Sequence, residues 1–171
     1  MPAAPVPTLV VGIGHEDRGD DAAGPLTVRL LARAWGDLLP PHVAVRAWRG
    51  DPIGLIDAWS GVERLVLVDA VVSGAAPGTC RRYGVDAPFA TGAGASTHGV
   101  GLADALALAR SLGRLPPAVE VWGIEAADFT AGARPSAAVA SAAADLAARL
   151  AASLGDGNGA AMRGRKGAPA A

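Results

Sequence analysis

The chain has 171 residues, 51% of them hydrophobic, with 15 Lys and Arg against 16 Asp and Glu for a formal net charge of −1. That length suits one domain with a core of its own, and a pI near 6.3 lacks the basic footprint of a nucleic-acid binder. Mean hydropathy is +0.31, much of it from Ala and Val, and no run approaches the roughly 18 uninterrupted apolar residues of a membrane span.

The opening Met-Pro-Ala-Ala-Pro-Val-Pro has no basic region and no apolar signal core, so secretion is not expected. The single Cys80 has no internal partner, which fits a reducing cytoplasm. Residues 1–7 read as a disordered N-terminus, 8–154 as a single α/β domain, and 155–171 as a disordered tail rich in Gly, Arg, Lys and Ala.

Leu9 to Ile13 is a short β-branched run and predicts the first strand. Gly24-Pro25 opens a helix whose apolar face is read as Leu26, Leu30, Leu31, Ala34 and Trp35, and Gly36 with Pro40-Pro41 ends it. Val43 to Trp48 alternates as a strand, and Arg49-Gly50-Asp51-Pro52 leads into a short helix through Leu55, Ile56 and Trp59. Arg64 to Val68 is a buried strand ending on Asp69. The Pro77-Gly78 turn leads to Thr79–Tyr83, a connection too short for a helical crossover, so that strand pairs antiparallel at or near an edge. Asp86 to Gly99 reads as a flexible loop, Val100 to Leu112 as a helix, Val119 to Trp122 as the last strand, and Pro135 to Leu154 as a long Ala-rich helix. The alternation predicts a three-layer α/β sandwich, a mostly parallel sheet flanked by helices with one antiparallel strand.

In open α/β sheets, ligands sit outside the carboxyl ends of the strands. Three short segments deliver ionisable residues there. Asp20 and Asp21 precede a helix, where an N-cap and a dipole-favoured acid would account for one of them. Asp69 follows four apolar residues on a central strand, and a buried carboxylate is costly unless paired, bonded or metal-bound. His98 lies in a polar loop, where a lone histidine is usually just solvated; its company with two acids promotes it. Together they form a mixed oxygen/nitrogen set suited to a divalent metal. His15 and Glu16 add to the supply of donors in the first loop, while His42 reads as surface.

Other chemistries fit less well. Gly12-Ile13-Gly14 begins a dinucleotide fingerprint, but Asp17 stands where its third glycine belongs, and the second strand ends in Arg49 rather than a ribose-binding acid. There is no Gly-x-Ser-x-Gly elbow and no Gly-Lys-Ser/Thr phosphate loop. Cys80, inside an edge strand, reads as a packing residue.

The ordered motifs resemble those of the hydrogenase maturation proteases, endopeptidases that trim the C-terminus of the large subunit of nickel-iron hydrogenases. Gly12-Ile13-Gly14-His15 with Asp20-Asp21-Ala22-Ala23-Gly24 resembles the family's opening Gly-x-Gly-Asn and acid pair; Val68-Asp69-Ala70 with Ala76-Pro77-Gly78-Thr79 resembles its strand-end Asp and Pro-Gly turn; Ser96-Thr97-His98 running into Gly101-Leu102 resembles its Ser-x-His segment. The similarity spans roughly residues 8 to 153. It implies that Asp21, Asp69 and His98 bind nickel, supplied by the large-subunit precursor itself and replaceable by zinc or cadmium, and that Asp21 and Asp69 serve catalysis. It also implies that Arg49, Gly50 and Asp51 contribute to substrate recognition. His15 replaces the usual Asn and is an additional candidate ligand. The expected protein is a cytoplasmic monomer with no nucleic-acid or membrane partner. Two other classes stay open on sequence: a non-proteolytic metal- or nucleotide-binding α/β protein, and an assembly chaperone that binds the large subunit without cutting it.

Overall fold

The computed structural model describes residues 6–49, 51–86 and 101–155. Along the chain run β1 (Thr8–Ile13), α1 (Ala23–Trp35), β2 (Val43–Trp48), α2 (Pro52–Ala58), β3 (Arg64–Val71), β4 (Cys80–Tyr83), α3 (Leu102–Ser111), β5 (Ala118–Glu125) and α4 (Ala137–Gly155), with single 3-10 turns at Gly19–Ala22 and Gly36–Leu38. Residues 87–99 of the predicted loop and residue 100 of the predicted helix lie outside the described residues, as do residues 1–5 and 156–171 of the predicted disordered ends. Pro7 is nevertheless tied down, its carbonyl accepting from the N–H groups of Glu63 and Arg64, and α4 runs through Gly155.

The five strands lie in the order β2-β1-β3-β5-β4, the first four parallel to one another and β4 antiparallel to β5 at the edge. This is the predicted fold class. Successive side chains on a strand point to opposite faces, and here each face carries its own core. Val10, Val66, Val68, Ala70, Trp122 and Ile124 pack against α1 and α4, while Leu9, Val11, Leu65, Leu67, Val71 and Val121 pack against α2 and α3. Each fully buried Val or Leu stabilises the fold by about 1.5–3 kcal/mol before entropy is counted.

Two boundaries differ from the sequence reading. β3 continues three residues past Val68 because Asp69, Ala70 and Val71 keep pairing with Gly123, Ile124 and Glu125 of β5. β5 is extended by the same ladder to Glu125. α1 also turns a different face inward: Ala23, Gly24, Thr27, Val28 and Leu31 are buried, Leu26, Leu30 and Trp35 are only partly covered, and Ala34 is exposed. α4 has the length and apolar composition of a membrane-crossing helix. Its Val139, Ala143, Leu146, Ala147 and Leu150 are nonetheless part of the core shared with α1 and the sheet.

Candidate functional site

The chain leaves β1 toward β2 on one side and β3 toward β5 on the other, so the strand order reverses between β1 and β3. A crevice opens at such a switch point, beyond the carboxyl ends of the strands. Glycines set how closely the β1–α1 connection enters it. A Cβ at Gly12 would lie 2.1 Å from the carbonyl oxygen of Gly24, and one at Gly24 would lie 2.4 Å from that of Ile13 and 2.5 Å from that of Val68. The start of α1 thus rests directly on the backbone of β1 and β3. Gly14 adopts a φ of +133°, and a Cβ there would lie 2.0 Å from the carbonyl oxygen of Asp21.

The two adjacent acids take separate roles. Asp20 is fully buried and faces the β5–α4 connection: its Oδ2 accepts from the N–H groups of Ala127 and Asp128 at 3.0 and 3.1 Å, and its Oδ1 from that of Ser136 at 2.7 Å. Burial works to raise its pKa, but these N–H groups and the Ser136 hydroxyl outweigh it and hold the carboxyl below its ordinary value. Asp21 faces His15. Its Oδ2 accepts from the His15 backbone N–H and contacts His15 Nδ1, both at 2.9 Å. Its side chain is 15% exposed and the His15 side chain 43%, so the imidazole rather than the carboxylate meets solvent.

Asp69 lies within β3 rather than after it, beside Gly123 of β5 and past the last β1–β3 pair, Gly12 with Val68. By strand alternation it shares the α2/α3 face with Leu65, Leu67 and Val71. It is 6% exposed, and its Oδ1 accepts the N–H of Ala70 at 2.8 Å. Desolvation, then the charge of Asp21, push its pKa well above the ordinary value, against which the Ala70 bond works only partly. Asp21 and Asp69 are therefore close enough to repel. Neither has a Lys or Arg partner among the described residues. A buried carboxyl with a single backbone donor, beside a second carboxylate and without a Lys or Arg partner, is the donor chemistry of a site for a hard or borderline divalent ion.

Of the other predicted site residues, His98 and Gly50 lie outside the described residues. Among the described residues no three His, Cys, Asp or Glu side chains form a group able to hold a metal ion, so Asp21 and Asp69 would need a donor from elsewhere. Arg49 is at the exposed rim, its Nη2 3.3 Å from Asp17 Oδ1. Asp51 caps α2, accepting from Gly54 N–H at 2.8 Å. A cleft of about 220 Å³ between Trp59–Val62 and Gly113–Pro117 lies at the opposite edge of the sheet and takes no part in this site. Sequence reasoning missed Glu125. Buried at the end of β5, it accepts from the N–H and hydroxyl of Ser73 and the N–H of Gly74 at 2.7–2.9 Å. The apolar run Val121-Trp122-Gly123-Ile124 ending in an acid is the same signal that drew attention to Asp69.

Comparison with known proteins places this geometry. Residues 51–153 match the family model for hydrogenase maturation protease. The chain is 34% identical over 132 residues to the hydrogenase expression/formation protein HupD of Thiocapsa roseopersicina, an alignment covering 74% of the chain and 59% of that relative's length. The [NiFe] hydrogenase maturation protease HybD from Thermococcus kodakarensis is 26% identical with a TM-score of 0.62, covering 86% of this chain and 98% of that one. HycI from Thermococcus kodakarensis KOD1, at 24% identity, has the same fold with a TM-score of 0.67, over 87% of this chain and 92% of that one. On the family-model match, which takes in more than half of its residues, Asp69 among them, the chain belongs to the hydrogenase maturation protease family.

Proposed function

We propose that the chain is the endopeptidase that removes the C-terminal extension of a nickel-loaded [NiFe]-hydrogenase large-subunit precursor. Family membership supports the reaction class. The observation that carries the site is Asp69, a buried carboxylate with one backbone donor, lying within the field of the Asp21 carboxylate at the switch point of the sheet. Both fit a borderline divalent ion, and His98, at the head of the segment leading into α3, is the third donor in this reading. His15 is a fourth candidate: with Nδ1 on Asp21, its Nε2 is the atom it can offer. Nickel belongs to the substrate and arrives with the precursor; zinc or cadmium can stand in for it. When held there, the ion supplies Lewis acidity toward a peptide carbonyl. The chain's own contribution is to bring the metal-bearing segment onto Asp21 and Asp69 and to take the proton of the attacking water on a carboxylate.

In this reading Arg49, paired with Asp17 between the ends of β1 and β2, meets the incoming chain together with the next residues in sequence, Gly50 and Asp51. In this reading the protein works as a cytoplasmic monomer, without a membrane or nucleic-acid partner; the single cysteine and near-neutral charge support it. The test is processing of a purified nickel-loaded precursor, followed by mass. Loss of a C-terminal peptide with the parent chain, and none from a nickel-free precursor, is the expected result. Stable binding with no mass change in either case would make the protein a chaperone instead.

A further inference from the structure

We propose that Asp20 is a positioning residue for the reaction proposed above: its buried carboxylate locks the 3-10 turn Gly19–Ala22 onto the β5–α4 connection and thereby sets where Asp21 presents its own carboxylate. The inference rests on that reading for its catalytic consequence and on geometry for its cause. Asp20 and Asp21 are consecutive in a single tight turn, yet they bond to opposite partners. The Asp20 carboxylate takes three backbone N–H groups spread from Ala127 to Ser136, whereas Asp21 reaches back to His15.

The rest of the turn is held to the same connection. Gly19 N–H donates to Ala133 O at 3.0 Å, Asp20 N–H to Asp128 O at 2.7 Å, and Gly132 N–H to Asp17 O at 2.7 Å. Arg18 Nε donates to Phe129 O at 3.3 Å. Gly19 has a φ of +57°, and a Cβ there would lie 2.3 Å from Asp128 O, so the two segments touch backbone to backbone. Residues 127–136 carry no helix or strand of their own. The N–H groups of Ala127, Asp128 and Ser136 would lose their acceptor without Asp20, and a buried donor without an acceptor is costly. The connection and the turn therefore order each other, and the carboxylate between them is the only side chain among the described residues that bridges them by more than one hydrogen bond.

Asp20→Asn tests this. Its amide would present a donor where backbone donors already converge, so the turn must shift. Because a displacement of about 1 Å at a reacting group can cost about 100-fold in rate, kcat for precursor cleavage is expected to fall roughly 10- to 100-fold with little change in KM. The His15 amide proton, which donates to Asp21 Oδ2, reports the placement of Asp21 without metal or substrate, and its NMR shift should move upfield as that bond lengthens. Glu120→Gln, which breaks the Arg64 ion pair at the far end of the sheet, is the control for stability loss alone and should change neither readout. If Asp20→Asn does not fold, Ser136→Ala removes the hydroxyl bond to the same carboxylate, together with a long 3.4 Å bond from Val139 N–H at the start of α4, and should move both readouts in the same direction by a smaller amount. A folded variant with the parental His15 shift and parental kcat overturns the proposal. A parent that cuts nothing while the His15 shift responds to Asp20→Asn overturns the proposed function and leaves the positioning intact.

Discussion

Replacing Asp69 with Asn separates a metal-site carboxylate from a structural one, because the two roles predict opposite changes in stability. In the metal-free protein, desolvation and the Asp21 charge raise the Asp69 carboxyl well above 3.8. The folded state then keeps a proton that the unfolded chain releases. The resulting contribution to stability is complete below about pH 3.8 and is lost as pH rises through the raised value. Each unit between the folded and unfolded ionisation is worth about 1.4 kcal/mol, so the total change in stability across that pH range measures the shift. Asn removes the charge that cannot be solvated, and its carbonyl can still accept the Ala70 N–H that Asp69 Oδ1 accepts at 2.8 Å. The variant should therefore be no less stable than the parent at pH 7 in chelator, with its share of the pH slope gone. Cleavage of nickel-loaded precursor should fall by about 10²–10⁴-fold, the usual scale for loss of an acid–base group. Urea unfolding at a series of pH values and a processing assay on one preparation check both halves. A variant destabilised at pH 7 by about 1–3 kcal/mol that still trims its substrate at near-parental rate would show Asp69 to be a backbone acceptor and nothing more.

Two further outcomes follow from the scaffold. Gly24→Ala places a methyl 2.4–2.5 Å from backbone atoms of β1 and β3 that cannot yield singly, so α1 must lift; a loss of about 1–3 kcal/mol in chemical denaturation, with reduced cleavage, is expected. Glu125 sits below its ordinary value of 4.5: burial raises it, but Ser73, Gly74 and Ala75 donors prevail. Its contribution is present above about pH 4.5 and is lost as pH falls through the depressed value, so Glu125→Gln should flatten the acid limb of a stability–pH curve while leaving precursor cleavage measurable at neutral pH.

The fold class was legible because the central strands β1 and β3 are buried on both faces and read as unbroken apolar runs, with helical patterns alternating between the strands. What escaped was whatever depends on a neighbour far along the chain. Asp69 looked like the end of its strand because polarity rises there, yet the ladder to β5 continues to Val71 and Glu125, a pairing that no window of local sequence contains. The inward face of α1 was read only in part, Leu31 correctly and Ala34 not, for a related reason. Periodicity favours its large residues, but the Gly12–Gly24 contact brings the helix so close to β1 that only small side chains fit beneath its first turns, and Leu26, Leu30 and Trp35 are left partly covered. The acid pair was visible as a feature, while the division of labour within it was not. The partners of Asp20 are 107 to 116 residues away in sequence.

That division suggests how the functional carboxylate is told from its neighbours. Asp20, Glu125 and Asp69 are all buried at the same end of one sheet, and Glu125 and Asp69 each follow a run that reads as core. Asp20 and Glu125 are each met by three or more hydrogen-bond donors, and their carboxyls are lowered despite burial. Asp69 is met by one backbone donor and one like charge, and its carboxyl is raised. A fold under selection for stability alone would satisfy Asp69 as it satisfies the other two, or replace it with an apolar residue at little cost. An under-satisfied buried acid beside a second acid instead stores repulsion that a cation relieves. In the proposed reading that deficit is the binding determinant: the fewer donors the protein supplies to Asp69, the more of its ligand field an incoming ion would take.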